Sequence, residues 1–191
     1  MTNKYETKLI QIIRQQDWLM GALKNVRDLR LPDWYIAAGA IRNSVWNHLH
    51  NFPTTSHQQD VDVVYFDSSD MNREREKASE EILRKKLPNL KWEVVNQARG
   101  HLFEHGQKTR QPANSSCESI AYWSETPTCI GIRLEDDGSF TICAPHGLDD
   151  LMNLVVKPIP QPYQNLTLYR ERIYEKHWNK FWPKLKIAPS N

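Results

Sequence analysis

The chain has 191 residues, 39% hydrophobic and 25% charged, with 25 Lys and Arg against 23 Asp and Glu for a formal net charge of +2. That length supports one well-buried core rather than two full domains, and the composition is that of an ordinary globular protein. So small a net charge excludes a dedicated non-specific nucleic-acid binder, and no apolar run approaches the roughly 18 residues that cross a bilayer. Met1 to Glu6 lack the basic-then-apolar layout of a secretory leader, so the expected compartment is the cytoplasm, with reduced thiols. Cys117, Cys129 and Cys143 are odd in number and form no Cys-x-x-Cys pair. They read as packing residues rather than a disulfide framework or a zinc site.

Leu9, Ile12, Ile13, Leu19, Leu23 and Val26 recur at helical spacing and predict one amphipathic helix over 7–28 that covers a sheet. Trp34 to Ala38 reads as a short buried strand running into Gly39-Ala40-Ile41-Arg42-Asn43 and a helix to about Leu49. Small residues at such a junction let the backbone approach a phosphate, and the free amides of a helix start attract anions. Any tight strand-to-helix turn also favours small residues, so the turn alone decides nothing. Asn51 to Gln59 is a polar loop beside this region, and its His57 is read as solvated.

In Asp60-Val61-Asp62-Val63-Val64, strand alternation projects both carboxylates from one side. Two like charges so close repel unless a cation separates them, and hard oxygen ligands suit Mg²⁺ or Mn²⁺ better than Zn²⁺. Taken alone, the pair is equally compatible with a strand end facing water. Asp70 to Leu87 is predicted to be an exposed helix, capped near Ser68 to Asp70 and ended by Pro88. Leu90 to Val95 is a further strand carrying Glu93. Just past it, Arg99 could grip phosphate oxygens through its planar guanidinium, or pair with some other acid. Gly106 to Ser116 has the composition of a mobile crossing loop, and Ser116 is a plausible cap for the apolar turn that follows.

Thr128 to Leu134 and Phe140 to Ala144 read as a hairpin closed by Glu135 to Gly138. Gly147 to Leu154 is a short helix with Asp149 and Asp150 at its start. Tyr169 to Pro183 interleaves aromatic and basic residues, which suits either packing on the sheet or nucleic-acid contact. The expected division is residues 1–158 as the main domain and 159–191 as a helical extension on the same domain.

Strand, glycine-small turn, helix, Asp-x-Asp strand and a third strand acid together resemble the nucleotidyltransferase superfamily related to DNA polymerase beta. More closely, GAIRNSVW, DVDVVYFD, KWEVVNQARGH, ESIAYWSETPTCIGIRLEDDG and APHGLDDLMNLVVKP look like a bacterial branch of it, over roughly Trp34 to Pro183. The resemblance implies an α+β fold: a small mixed or antiparallel sheet flanked by helices, with a C-terminal helical segment. It also implies Mg²⁺-dependent transfer of a nucleoside monophosphate from a nucleoside triphosphate, ATP among them, to a hydroxyl on a small molecule, RNA or protein. Asp60, Asp62 and Glu93 would hold one or two metal ions, while Gly39, Ala40, Arg42, Asn43 and Arg99 would hold the nucleotide; no organic cofactor is expected. Two features depart from the wider superfamily: Ala40 stands where Ser or Gly is usual, and Asp60 follows Gly39 by twenty-one positions. They leave open a catalytically degenerate nucleotide-binding module, and a metal-dependent phosphohydrolase would use the same acids.

Overall fold

The computed structural model describes residues 4–55, 60–102 and 112–189. Short runs rich in Val, Ile, Tyr and Trp form five strands, β1 (Tyr35–Ala37), β2 (Val61–Tyr65), β3 (Trp92–Asn96), β4 (Gly131–Leu134) and β5 (Phe140–Cys143). They assemble in the order β3-β2-β1-β4-β5. β1 is antiparallel to both β2 and β4, β4 is antiparallel to β5, and β2 runs parallel to β3. This is the mixed, largely antiparallel sheet flanked by helices that the sequence implies. Where β4 meets β1, Gly131 leaves no room for a side chain, because a Cβ there would lie 2.9 Å from Tyr35 Cβ.

Strand alternation divides the core between the two sheet faces. Ile36, Val61, Val63 and Tyr65 join the larger cluster with Leu9, Ile13, Leu23, Ile41 and Trp46. Tyr35, Ala37 and Val64 look to the other face, which a smaller cluster with Ile120, Cys129, Cys143 and Ile159 covers. The predicted helix over 7–28 is two helices, α1 (Lys4–Arg14) and α2 (Asp17–Arg27). Gln16, extended at φ −113 and ψ 95, separates them. Its buried side chain donates to the Ile12 carbonyl and accepts from Trp18 Nε1, so both helices keep their apolar residues inward across the break. The junction helix α3 spans Ala38–His50, and the charged segment narrows to α4 (Glu74–Lys86). α4 lies along β3, where Val94 N–H donates to Glu80 Oε1 at 3.0 Å and Asn96 N–H to Glu76 Oε1 at 2.6 Å.

Beyond a 3₁₀ turn at Gln97–Leu102, α5 (Ser116–Ile120) is capped by Ser115, whose hydroxyl accepts from Glu118 N–H. Ser116, the expected cap, instead ties the helix to Asp33 through its backbone N–H and its hydroxyl. The cysteine expectation is corrected too. Cys117 and Cys143 form a disulfide, with Cα atoms 5.6 Å apart, and Cys129 is the buried free thiol. α5 packs over the end of β5, a proximity that sequence spacing does not reveal.

The last part of the described chain holds α6 (Asp149–Met152), β6 (Val155–Val156), α7 (Leu166–Lys176), α8 (Trp178–Phe181) and β7 (Lys186–Ile187). β7 pairs in parallel with β6. Three aromatics of this segment turn inward, Tyr169, Trp178 and Trp182 at 1% exposed each, while Tyr174 and Phe181 stay exposed. Trp46 of α3 meets Trp178 edge-on at 5.7 Å and Trp182 at 5.1 Å between ring centroids. No described helix is long and apolar enough to cross a membrane. The expectations for His57 and for most of the Gly106 to Ser116 loop fall outside the described residues.

Candidate active site

The parallel register of β2 and β3 sets Asp62 directly beside Glu93. Neighbouring strands lie about 4.8 Å apart, so the two carboxylates emerge as close neighbours. On the other side Asp62 is paired with Ala37, the last residue of β1, which brings the start of α3 over the same spot. The chain turns there through Ala38, held at φ +49 in the left-handed region, with its N–H donating to the Ile130 carbonyl at 3.0 Å. A non-glycine residue in this conformation is uncommon and marks a turn fixed by its surroundings. The result is a pocket of about 350 Å³ on the less covered face, lined by Ala38, Asp62, Glu93, Gln97, Thr128 and Arg172 and walled by Tyr122 and Trp123.

Burial pushes the Asp62 carboxyl up to about 6, and the nearby Glu93 adds to the shift. Arg42 behind it and the Gly39 backbone amide pull the other way, favouring the charged form. A carboxylate so placed, with a second acid across the strand, has the donor chemistry of a hard-cation site in search of positive charge. Asp60 lies just outside β2, 58% exposed and 3.9 Å from Lys91 Nζ. Among the described residues no three His, Cys, Asp or Glu side chains converge tightly enough to enclose a metal ion. Asp62 and Glu93 nevertheless fit Mg²⁺, which is commonly held by one or two carboxylates with water and substrate phosphates completing its shell.

Several expected nucleotide contacts lie elsewhere. Arg42 is buried among its own helix and the C-terminal segment, with its guanidinium over the rings of Trp46 at 5.0 Å and Trp178 at 4.5 Å. Its Nη1 donates to Thr128 Oγ1 at 2.8 Å, and Nε and Nη2 donate to Asn43 Oδ1. Burial lowers its pKa to about 10, so it remains a cation at neutral pH. Arg42 and Asn43 therefore serve each other inside the fold, and Arg42 reaches Asp62 only through its field. Ala40 belongs to the larger core cluster, so a ligand could meet it only through its backbone.

Arg99, the other expected phosphate contact, is 5% exposed and forms a buried ion pair with Glu76. It also donates to the Met71 carbonyl. Glu76 thus accepts from both Arg99 and the Asn96 amide, joining α4 to the end of β3. Glu76→Ala is expected to cost about 3–5 kcal/mol by leaving a buried guanidinium without its counterion. Chemical denaturation followed by circular dichroism checks it, and a change below about 1 kcal/mol would deny the pair a structural role.

Sequence reasoning did not connect Tyr122, Trp123, Thr128 or Arg172 to the pocket, because their approach depends on long-range packing that no local pattern encodes. Ala38 and Gln97 flank the Gly39 turn and the Glu93 strand, where position alone finds them.

A mixed sheet that sets paired carboxylates beneath the first turn of a helix is the framework of an enzyme that transfers nucleotidyl groups. A family model described as "Nucleotidyltransferase" matches residues 24–187, and the chain belongs to that family. The chain is also similar to a structure determined by NMR and described as revealing "a CCA-adding enzyme head domain". The two share 31% identity and a TM-score of 0.82 over 97% of this chain and 96% of the other. A structure described as "tRNA-processing enzyme complex 3" shares the fold at 17% identity, with a TM-score of 0.54 over 88% of this chain and 43% of that one. No curated protein matches the sequence.

Proposed function

We propose that this nucleotidyltransferase joins a nucleoside monophosphate to a hydroxyl acceptor in the pocket between β2, β3 and the start of α3. Asp62 beside Glu93 under the Gly39 amide is the observation that carries this reading. The acceptor oxygen forms a new bond to the α-phosphorus of a nucleoside triphosphate. The bond from that phosphorus to the bridging oxygen breaks, pyrophosphate leaves with the electron pair, and the acceptor's proton passes to solvent. Asp62, Glu93 and Asp60 would hold Mg²⁺ or Mn²⁺, which when bound neutralises the charge that develops on the phosphates. Asp62 is oriented for this by the Gly39 amide in front and the Arg42 charge behind. With the Gly39 amide turned to Asp62, the free amides of α3 that follow it donate to phosphate oxygens, as helix starts do. Tyr122 and Trp123 narrow the pocket and limit water around the reacting groups.

The segments matched to the bacterial branch support placing the chain there. The likeness to a CCA-adding enzyme head domain favours the hydroxyl of an RNA end as acceptor, on grounds of analogy. The test is thermal unfolding with each of the four ribonucleoside triphosphates, with and without Mg²⁺, followed by pyrophosphate release in the presence of short RNA. A Mg²⁺-dependent rise with at least one nucleotide, together with RNA-stimulated pyrophosphate release, is expected. Stabilisation without any pyrophosphate release points to a degenerate module, and release of phosphate to water alone points to a phosphohydrolase.

A further inference from the structure

We infer that Arg172, on α7, is the side chain that binds the triphosphate of the nucleotide, a step that rests on the nucleotidyltransferase reading above. Among the described residues that line the pocket it is the only basic one, facing Asp62 and Glu93 across the same space. A polyphosphate chain entering a pocket with two carboxylates requires positive charge, and a guanidinium matches phosphate oxygens in shape as well as sign. The two basic residues the sequence offered for this task are engaged elsewhere: Arg42 with Thr128 and Asn43, Arg99 with Glu76.

Arg172 is also held as a binding residue should be. Its Nε donates to Glu125 Oε1 at 2.6 Å and its Nη2 approaches Oε2 at 3.3 Å. Glu125 is fully buried, so it cannot do without this partner, and the two-point contact fixes the plane of the guanidinium. Nη1 has no hydrogen-bond partner among the described residues. The Arg172 side chain is 30% exposed, enough for a ligand to reach it. If Arg172 were merely the counterion of Glu125, its loss would alter stability and leave nucleotide affinity unchanged.

The experiment compares the wild type, Glu125→Gln and the double variant Glu125→Gln/Arg172→Gln in calorimetric titrations with Mg²⁺ and either ATP, GTP, CTP, UTP or inorganic tripolyphosphate. The double variant leaves no buried unpaired charge and can keep a hydrogen bond between the two amides. Glu125→Gln, which loosens the hold on the guanidinium but keeps its charge in the pocket, is expected to lose clearly less affinity than the double variant. The double variant is expected to lose about 10–100-fold in affinity for both the preferred nucleotide and tripolyphosphate, the size of effect for a charge-assisted contact. Equal affinities in all three proteins, or equal losses in both variants, overturn the role of Arg172 and leave the nucleotide reading intact. A folded wild type that binds none of the five ligands overturns both.

Discussion

Asp62→Asn is expected to reduce nucleotide transfer by about 10³-fold or more and, at the same time, to raise the melting temperature of the metal-free protein at pH 7. The first effect follows from removing the pocket's buried carboxylate, since a loss of about 4 kcal/mol of transition-state stabilisation is three orders of magnitude in rate. The second follows from linkage. Asp62 ionises at about 6 in the folded protein against an ordinary value of 3.8, so the native state holds its proton more tightly than the unfolded chain does. Below about pH 3.8 both states are protonated and the group makes no difference. Stability is then lost as pH rises through the window from 3.8 to about 6, and it stays lost above it. At neutral pH the ionised side chain therefore costs about 3 kcal/mol, and the amide removes that cost. Scanning calorimetry in EDTA should show a rise of roughly 6–12 °C at pH 7 that shrinks towards zero near pH 4. A variant that is less stable than wild type at pH 7 would contradict the cost of holding an ionised Asp62 buried beside Glu93.

Trp178→Ala is expected to destabilise the fold by about 3–5 kcal/mol from lost burial and the cavity left behind. The ring is 1% exposed, packs edge-on against Trp46 and covers the Arg42 guanidinium at 4.5 Å. Uncovering that buried cation adds the loss of a cation–π contact, up to about 2 kcal/mol where water is excluded. For a domain of ordinary stability this approaches half of the total. Urea denaturation monitored by circular dichroism measures it. Trp178→Phe is the control: it keeps a ring and discards an indole N–H that is buried with no hydrogen-bond partner among the described residues, so it should cost far less. Because Arg42 also favours the ionised form of Asp62, the alanine variant should lose activity beyond what its stability explains. A change below about 1 kcal/mol would make α8 a peripheral appendage.

The carboxylates were legible because their signal is local. Asp62 and Glu93 lie in short strands whose alternation fixes the facing of each side chain, and the glycine turn announces the start of α3. What escaped was every feature decided by distant contacts. Arg42 reads as a phosphate anchor in the first turn of a helix, and only Trp178 and Thr128 show that it is enclosed. Arg99 was balanced between phosphate and an acidic partner, and Glu76 on another helix settles it. The break at Gln16 was hidden because the apolar spacing of α1 and α2 continues across it. The pairing of Cys117 with Cys143 depends on how α5 lies over the sheet, which residue spacing does not contain.

The glutamates of α4 have an effect beyond the hydrogen bonds they make. β3 is the outer strand of the sheet, and its outward amides would ordinarily template a further strand from another chain. Glu80 and Glu76 occupy the Val94 and Asn96 amides, and their carboxylates would repel most peptide carbonyls brought to the same donors. Fibril growth and strand-donating partners are thereby turned away from the border that carries Glu93.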